Sequence, residues 1–518
     1  MNTAKKMAIT YFQTRLTICF NSSQIVKNTT VKNSFLLKRA AQLALMLAIA
    51  GCASIPPDQN LFPQKDIASA QLASDIKLAS EGWPDKQWWM QYGDAQLNRL
   101  IAQALTNSPS LGTTAARIGS ANAALKINSA DLAPEINFNG QETRQRYSSN
   151  GLFPKPIGGS YYTETILQVQ ARYDFDWWGK HRAQIVAAVG EVNARRADYA
   201  QAELTLATAI TQSYFNLQSQ WALLASMQKS VAKQSDIVAD KAKRVQHGLA
   251  TADDQRMADA ELSRMNGQIA QIEAQIGGER EALRALIGGD STALADLKPQ
   301  ELHDISHALP AKLGMDLLAR RPDLQASRWR VEASLSRVEA SQAAFYPDIN
   351  LTGSLGLDSL SLDDLLKFAS RTLYIGPTIS LPLFDSERIQ AQLGASRSQR
   401  NEVIADYNQS VFIAVRDVAQ QAINVRGIDS KLQQQQKIVQ TNAEMLRSAQ
   451  AKLKRGLAER GTVISAELAL LRQQDDMLQL KNQQLQAEVS LIKALGGGYL
   501  ADPVMLNTNF HQQAAQSH

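Results

Sequence analysis

Few side chains in this sequence are spaced to do chemistry, and those few argue against catalysis. His303 and His307 stand four residues apart, the interval at which two imidazoles on one helix can grip a metal ion. No glutamate accompanies them in the metalloprotease arrangement, and they fall in a polar stretch, so they read as two histidines of a surface loop. The chain carries no Gly-rich phosphate loop and no Gly-x-Ser-x-Gly elbow. Asp475 and Asp476 lie inside a helical repeat pattern and read as solvated helix surface. The expectation is therefore a protein without catalytic residues, metal or cofactor, and not an enzyme. A formal charge of +5, with both signs interspersed along the chain, also speaks against a nucleic-acid binder, which would concentrate its basic residues on one face.

The position with the clearest chemistry is Cys52. Lys38 and Arg39 precede an apolar run from Ala40 to Ala50, and Gly51 and Cys52 follow. A basic start, a short apolar run and small residues at the cut describe an export signal. The ending Ile49-Ala50-Gly51-Cys52 looks like a bacterial lipobox, in which the cysteine becomes the diacylated first residue of the mature chain. Residues 1–51 are then a signal region with an N-terminal extension, removed together with Cys19, and no disulfide framework is expected. Residues 52–84, with several Pro, Asp and Ser and no sustained period, read as an extended lipidated tether.

The remainder is written twice. Leu105, Pro109, Leu111, Arg117, Pro134, Ile136, Asn137 and Gly140 recur 213 residues later as Leu318, Pro322, Leu324, Arg330, Pro347, Ile349, Asn350 and Gly353. Gly248-Leu249-Ala250 recurs as Gly456-Leu457-Ala458 at a shift of 208. The boundaries drawn are a first repeat at 85–290, a connector at 291–317, a second repeat at 318–498 and a flexible tail at 499–518.

Each copy contains two strands in which apolar and polar residues alternate. Leu167, Val169, Ala171, Tyr173, Phe175 and Trp177 alternate with Gln168, Gln170, Arg172, Asp174 and Asp176. Ile349 to Leu357 and Leu373 to Leu383 follow the same rule, and a weaker strand lies around Ile136 and Phe138. Strands of about 10 residues with one apolar and one polar face suit a barrel wall between lipid and water. Phe345, Tyr346, Trp177, Trp178, Phe384, Tyr161 and Tyr162 sit near strand ends, as in an interfacial girdle. Four strands cannot close a barrel, so several chains must contribute to one.

After each strand pair the pattern becomes helical. Ile210, Leu217, Leu224, Val231, Val238 and Val245 fall every seven residues, as do Val411, Val418, Val425, Leu432, Val439, Leu446 and Leu453. These helices should run from near Lys180 and Arg388 to the glycines at 248 and 456, roughly 100 Å at 1.5 Å per residue. The chain then turns back along helices ending near Gly288 and Gly496. A globular domain has no use for such a length, whereas an envelope-crossing conduit does.

Four stretches in order carry a family resemblance: Trp88-Trp89 with Tyr92-Gly93-Asp94, Leu318-Ala319-Arg320-Arg321-Pro322-Asp323, Leu381-Pro382-Leu383-Phe384-Asp385, and Lys493-Ala494-Leu495-Gly496-Gly497-Gly498. Together with the duplication they resemble the outer membrane efflux protein family, in its NodT-type lipoprotein subgroup, over nearly all of residues 80–500. The resemblance implies a mixed α/β membrane protein and a homotrimer. Three chains of four strands would make a 12-stranded transmembrane β-barrel, continued by a coiled-coil α-helical tunnel in the periplasm. It implies, as partners, outer-membrane lipid, a periplasmic adaptor (membrane fusion) protein and an inner-membrane pump, with no nucleic acid. Ala53, in place of Asp after the cysteine, implies outer-membrane sorting. The function implied is passive export of toxic small molecules. The same architecture as the duct of a type I protein secretion system is the alternative, followed by a non-conducting tether, which has no need of alternating strands.

The resemblance also makes Gly248, Leu249, Ala250, Gly456, Leu457 and Ala458 the periplasmic tip and adaptor-docking site. Arg244, Asp253, Asp254, Arg455, Glu459 and Arg460 flank these turns and are candidate gate charges, some expected to pair between helices and hold the tip closed. The family often places an aspartate shortly after the second turn, where this chain has Gly461-Thr462. Asp254 in the first copy is the better match, and a ring of it in a trimer would favour cations at the entrance.

Overall fold

A computed structural model of the chain describes residues 55–58, 61–65, 83–302, 320–381 and 386–501. Cys52 and the signal, most of the tether, His303 and His307, Leu318-Ala319, Pro382 to Asp385 and the tail beyond 501 lie outside the described residues. The chain divides into two units, and of the first, residues 1–57 with 382–386, only 55–57 and 386 are described. The other unit, Asp58–Leu381 with Glu387–His518, carries the two repeats.

Helices α1 (Ala95–Asn107) and α2 (Pro109–Ala130) lead into strands β1 (Glu135–Arg146) and β2 (Tyr161–Asp174). The long helix α3 (Lys180–Gln246) and its return α4 (Ala252–Leu286) follow. The second copy consists of α5 (Pro322–Ala343), β3 (Asp348–Ser359), β4 (Arg371–Ser380), α6 (Ser386–Lys454) and α7 (Arg460–Ala494). The bounds of α2 and α5, and the starts of β1 and β3, differ by the same 213 residues as the sequence repeat. The C-terminal ends of α3 and α6, and both ends of α4 and α7, differ by 208. The duplication is thus one of elements as well as residues.

The four strands form one antiparallel sheet in the order β1-β2-β3-β4. No helix among the described residues is long and apolar enough to cross a membrane. β2 ends at Asp174, three residues short of the alternation that runs on to Trp177. The reason is Asp176, whose φ of 44° leaves the extended region. Its carboxylate accepts the backbone N–H groups of His181 at 2.9 Å and Arg182 at 3.0 Å, so it closes the first turn of α3 instead of extending the strand.

Helices α1, α2 and α5 correct the reading of each repeat as a strand pair plus a helical hairpin. Asp94 opens α1 by accepting the N–H groups of Gln96 and Leu97, and it also accepts the Tyr214 hydroxyl at 2.5 Å. Leu97, Leu100 and Ile101 are then fully buried against Ile210, Phe215 and Leu217 of α3, each contributing about 1.5–3 kcal/mol. Tyr92 lies edge-on to Phe215 at 4.9 Å and donates its hydroxyl to Glu488 of α7 at 2.9 Å. Burial, and then the Glu488 carboxylate, push the Tyr92 phenol far up, so it remains a donor. This accounts for the Trp-Trp…Tyr-Gly-Asp stretch as a clasp joining α1, α3 and α7.

The Arg-Arg-Pro-Asp and Ala-Leu-Gly-Gly-Gly stretches meet at the same level. Pro322 occupies the first turn of α5, where its missing N–H costs nothing. Buried Arg321 donates to the Ala494 carbonyl at 3.1 Å and to both oxygens of Asp323, at 3.0 and 2.6 Å. Gly496, Gly497 and Gly498 all have positive φ, and their backbones press against Arg320, Leu204 and Asp85.

Candidate functional site

The strand register sorts the sheet into two faces. Phe138, Val169, Leu355 and Leu373 are consecutive partners across all four strands, and so are Ile136, Ala171, Gly353 and Ile375. Side chains in such rows share a face. On β3 this face runs through Ile349, Leu351, Gly353, Leu355 and Leu357, about 26 Å along the strand at ~3.3 Å per residue. That approaches the ~25 Å apolar band of an outer-membrane barrel, less what strand tilt removes. The opposite face carries Asn137, Gln170, Ser354 and Tyr374 in one row, and Asn139, Gln168, Gly356 and Thr372 in the next. Asn139 donates to the Gln170 side chain at 2.9 Å. One face suits lipid and the other a watery lumen.

At the helix end of the sheet Trp178 stacks on Tyr346 at 4.5 Å and donates its ring N–H to the Pro347 carbonyl at 2.8 Å. Phe175 and Trp177 stand exposed beside them. Two members of the expected girdle do not belong to it. Phe345 is buried, and Tyr162 takes the polar face, since it is on the even-numbered side of β2 with Gln168 and Gln170. Phe384 lies outside the described residues.

The two turns at the far ends of the long helices share one construction. At the first, the Leu249 N–H donates to the Arg244 carbonyl at 2.8 Å, and the Gly248 N–H to the Val245 carbonyl at 3.0 Å. At the second, Leu457 donates to Lys452 at 2.9 Å and Gly456 to Leu453 at 2.9 Å. Gly248 and Gly456 have φ of 69° and 74°. This is the Schellman ending of a helix, and the left-handed residue it needs is glycine in both copies. Leu249 and Leu457 project into solvent, and Ala250 and Ala458 are partly covered.

Three of the six flanking charges lie on one helix seam. Arg244 Nη2 of α3 reaches Glu459 Oε2, just ahead of α7, at 2.9 Å, and its Nε reaches Asp240 at 3.0 Å. These carboxylates, Glu459 foremost, raise the guanidinium pKa above its ordinary value. Arg460 approaches Asp236 at 3.5 Å, and Lys233 meets Glu467 at 3.0 Å. The other three candidates do not join the seam. Asp253 pairs with Arg256 on its own helix. Asp254 accepts the Thr251 N–H at 2.9 Å and the Thr251 hydroxyl at 2.7 Å, completing a capping box, with Lys241 at 3.8 Å. Those Thr251 bonds, the backbone one first, hold its carboxyl below the usual range. Arg455 is exposed.

Lys233, Asp236 and Glu467 were not singled out in the sequence. The available signal was opposite charge beside the apolar heptad positions, Lys233 and Asp236 between Val231 and Val238, and Glu467 near Ile464. No group of three or more His, Cys, Asp or Glu side chains among the described residues could hold a metal ion.

A sheet with one lipid face and one wet face, set on helical hairpins of this length, defines a subunit of a barrel-and-tunnel channel. The profile of outer membrane efflux proteins matches residues 100–289 and 313–497. Multidrug resistance outer membrane protein MdtP of Escherichia coli strain K12 is 36% identical over 466 residues, covering 88% of this chain and 95% of the relative. MdtQ of E. coli O157:H7, also a multidrug resistance outer membrane protein, is 35% identical over 464 residues, covering 88% and 97%. The crystal structure of the outer membrane protein VceC from Vibrio cholerae superposes with a TM-score of 0.74 at 30% identity, covering 80% of this chain and all of that one. The outer-membrane channel OprN shares the fold, with a TM-score of 0.77 at 23% identity over 86% and 99% of the two chains. The chain belongs to the outer membrane efflux protein family. It is an outer-membrane channel protein, and each chain contributes four strands.

Proposed function

We propose that three copies form the passive outer-membrane exit of a tripartite pump for toxic small molecules, with an adaptor docking at the helical tips. The observation that carries this reading is the matched pair of tips. Leu249 and Leu457 are 75% and 73% exposed at the ends of helices about 100 Å long. Leaving such side chains in water forgoes up to about 1.5–3 kcal/mol each, which a protein partner covering them recovers. The names of the curated relatives favour small toxic molecules over a secreted polypeptide as cargo. Energy comes from an inner-membrane partner reached through the adaptor.

A photocrosslinker placed at Ala250 and at Ala458 in cells should capture a periplasmic adaptor protein. Capture of none, with trimers present in the outer membrane, would defeat the docking assignment.

The pairs Arg244–Glu459, Asp236–Arg460 and Lys233–Glu467 support a gate. All three cross from α3 to the start of α7, so together they tie the two hairpins of one chain near the tip. They lie partly covered at the surface, within reach of salt, so each is weak enough for docking to release. Trimers of the double variant Arg244→Ala/Arg460→Ala should conduct more than wild type in planar bilayers, the difference narrowing as salt rises. Equal conductance at all salt concentrations would leave the pairs as surface decoration.

Cys52 supports a lipid anchor, through the form of the segment ending in it. Metabolic labelling with palmitate should mark the wild type and leave Cys52→Ser unmarked; labelling of both would remove the anchor.

A further inference from the structure

The outward face of the barrel wall changes character along its height. On β1 the residues sharing the lipid face are Ile136, Phe138, Gly140, Glu142, Arg144 and Arg146. On β4 they are Ile379, Pro377, Ile375, Leu373 and Arg371. Both edge strands are therefore apolar near the helices and turn basic toward the hairpin loops. On β2 and β3 the same face ends in Thr165, Thr163 and Tyr161, and in Ser359. The two ends of the wall thus differ in kind. The helix end is ringed by Phe175, Trp177, Trp178 and Tyr346, and the loop end by arginines.

Two of these arginines are held by aromatic rings. Arg144 lies over Tyr161 with its guanidinium carbon 5.9 Å from the ring centroid, and Arg371 lies over Phe368 at 4.4 Å. Tyr161 and Phe368 are themselves exposed. A ring beneath a guanidinium fixes its plane and leaves its N–H edge free to face outward. Glu142 shares this face, yet among the described residues neither it nor any of the three arginines enters an ion pair. Lys367 in the β3–β4 loop is different, because Asp364 engages it. The helices descend into the periplasm, so the loop end of the sheet meets the outer leaflet.

Unpaired arginines immediately above an apolar band face whatever charge the lipid brings to that height. Three guanidiniums with free N–H edges match phosphate, which they bind through paired charge-assisted hydrogen bonds. Phosphorylated glycolipid of the outer leaflet supplies phosphate there and acyl chains for the band below. We propose that Arg144, Arg146 and Arg371 form a binding surface for the phosphate groups of that glycolipid. Closure of three sheets into one barrel must join β4 of each copy to β1 of the next, because β1 and β4 are the free edges. Arg371 is therefore delivered to the strand that bears Arg144 and Arg146, giving three equivalent basic sites around the wall. The proposal rests on the sheet being a lipid-facing wall and is independent of the cargo, the adaptor and the gate.

The test uses purified trimers in neutral detergent, incubated with bisphosphorylated lipid A or with its dephosphorylated form, and native mass spectrometry of the lipid retained. Wild type should retain the phosphorylated form about tenfold better, as expected where charge-assisted contacts to phosphate decide binding. The triple variant Arg144→Ala/Arg146→Ala/Arg371→Ala should lose that preference, while Arg99→Ala on α1 should keep it. Equal retention of the two lipids by wild type, or an undiminished preference in the triple variant, would overturn the proposal. If the triple variant does not assemble, Arg146→Ala at the last residue of β1 decides, with about a threefold loss expected. No loss there overturns the site.

Discussion

Leu355→Arg is expected to leave almost no trimer in the outer membrane, whereas Ser354→Arg, one residue earlier, is expected to leave normal amounts. Leu355 stands in the row with Phe138, Val169 and Leu373, inside the apolar face and two residues short of the row of Arg371. An arginine on the lipid side costs from about 1 kcal/mol near the interface to about 2–4 kcal/mol at mid-membrane, and a trimer carries three of them. The sum is comparable to the whole stability of an ordinary domain, about 5–15 kcal/mol. Ser354 points the other way, in the row with Asn137, Gln170 and Tyr374, where an arginine stays in water. Its expected effect is on ion selectivity, since three added cations line the lumen. Trimer content of outer-membrane fractions on native gels, with selectivity in planar bilayers, reads both. Normal amounts of Leu355→Arg with loss of Ser354→Arg would mean that the two faces are assigned the wrong way round.

Gly496→Ala should be, among the described glycines, the alanine change that meets the closest obstacle. The residue has φ of 92°, and a Cβ there would lie 1.8 Å from the Arg320 carbonyl oxygen. The left-handed backbone costs about 1–2 kcal/mol, and forcing a methyl into occupied space about 1–3 more. The obstacle is backbone, which cannot swing aside as a side chain can. The damage falls where Arg321 holds the end of α7, so α5 and α7 separate together. Gly277→Ala is the control. It lies within α4 with open space around its Cβ position, and alanine there should stabilise by about 0.5–1 kcal/mol. Thermal unfolding of purified trimers should show a large fall in Tm for Gly496→Ala and none for Gly277→Ala. A Tm within a degree or two of wild type for Gly496→Ala would show that the Arg320 segment yields, and that this junction is not rigid.

How much of this was legible depended on the size of the side chains that carried each signal. The long helices declared themselves through aliphatic heptads, and three of the strands through clean alternation. β1 was faint because its outward residues turn to Glu142, Arg144 and Arg146 halfway along, though the strand continues to Arg146. Helix α5 was missed although buried Leu324, Val331 and Val338 fall every seven residues, because the helix is short and small residues, among them Ala326, Ala333, Ser334, Ser336 and Ala340, fill the rest of its buried face. Such a face lets α3 come so near that a Cβ on Gly190 would stand 3.0 Å from that of Ala333. Three aliphatic positions among so many small ones make a weaker period than the long helices show. At the tips, the glycine turns were visible, but the partners of the charges were not. Arg244–Glu459 and Lys233–Glu467 each join residues more than 200 positions apart, and no local pattern states which helices are neighbours. Asp254, expected as an entrance charge, also caps α4, a role its spacing from Thr251 could have revealed.

The wall's alternation also bears on how the polypeptide reaches its destination. An outer-membrane protein must first pass through the inner membrane, where an uninterrupted apolar run of about 20 residues would arrest it. In β2 and β3 every lipid-facing residue is followed by one meant for water, and no described helix supplies an apolar run of that kind. The greasy surface therefore does not exist in the linear chain. It comes into being only when the four strands align, so the information that suits this protein to one bilayer stays silent while it is threaded through the other.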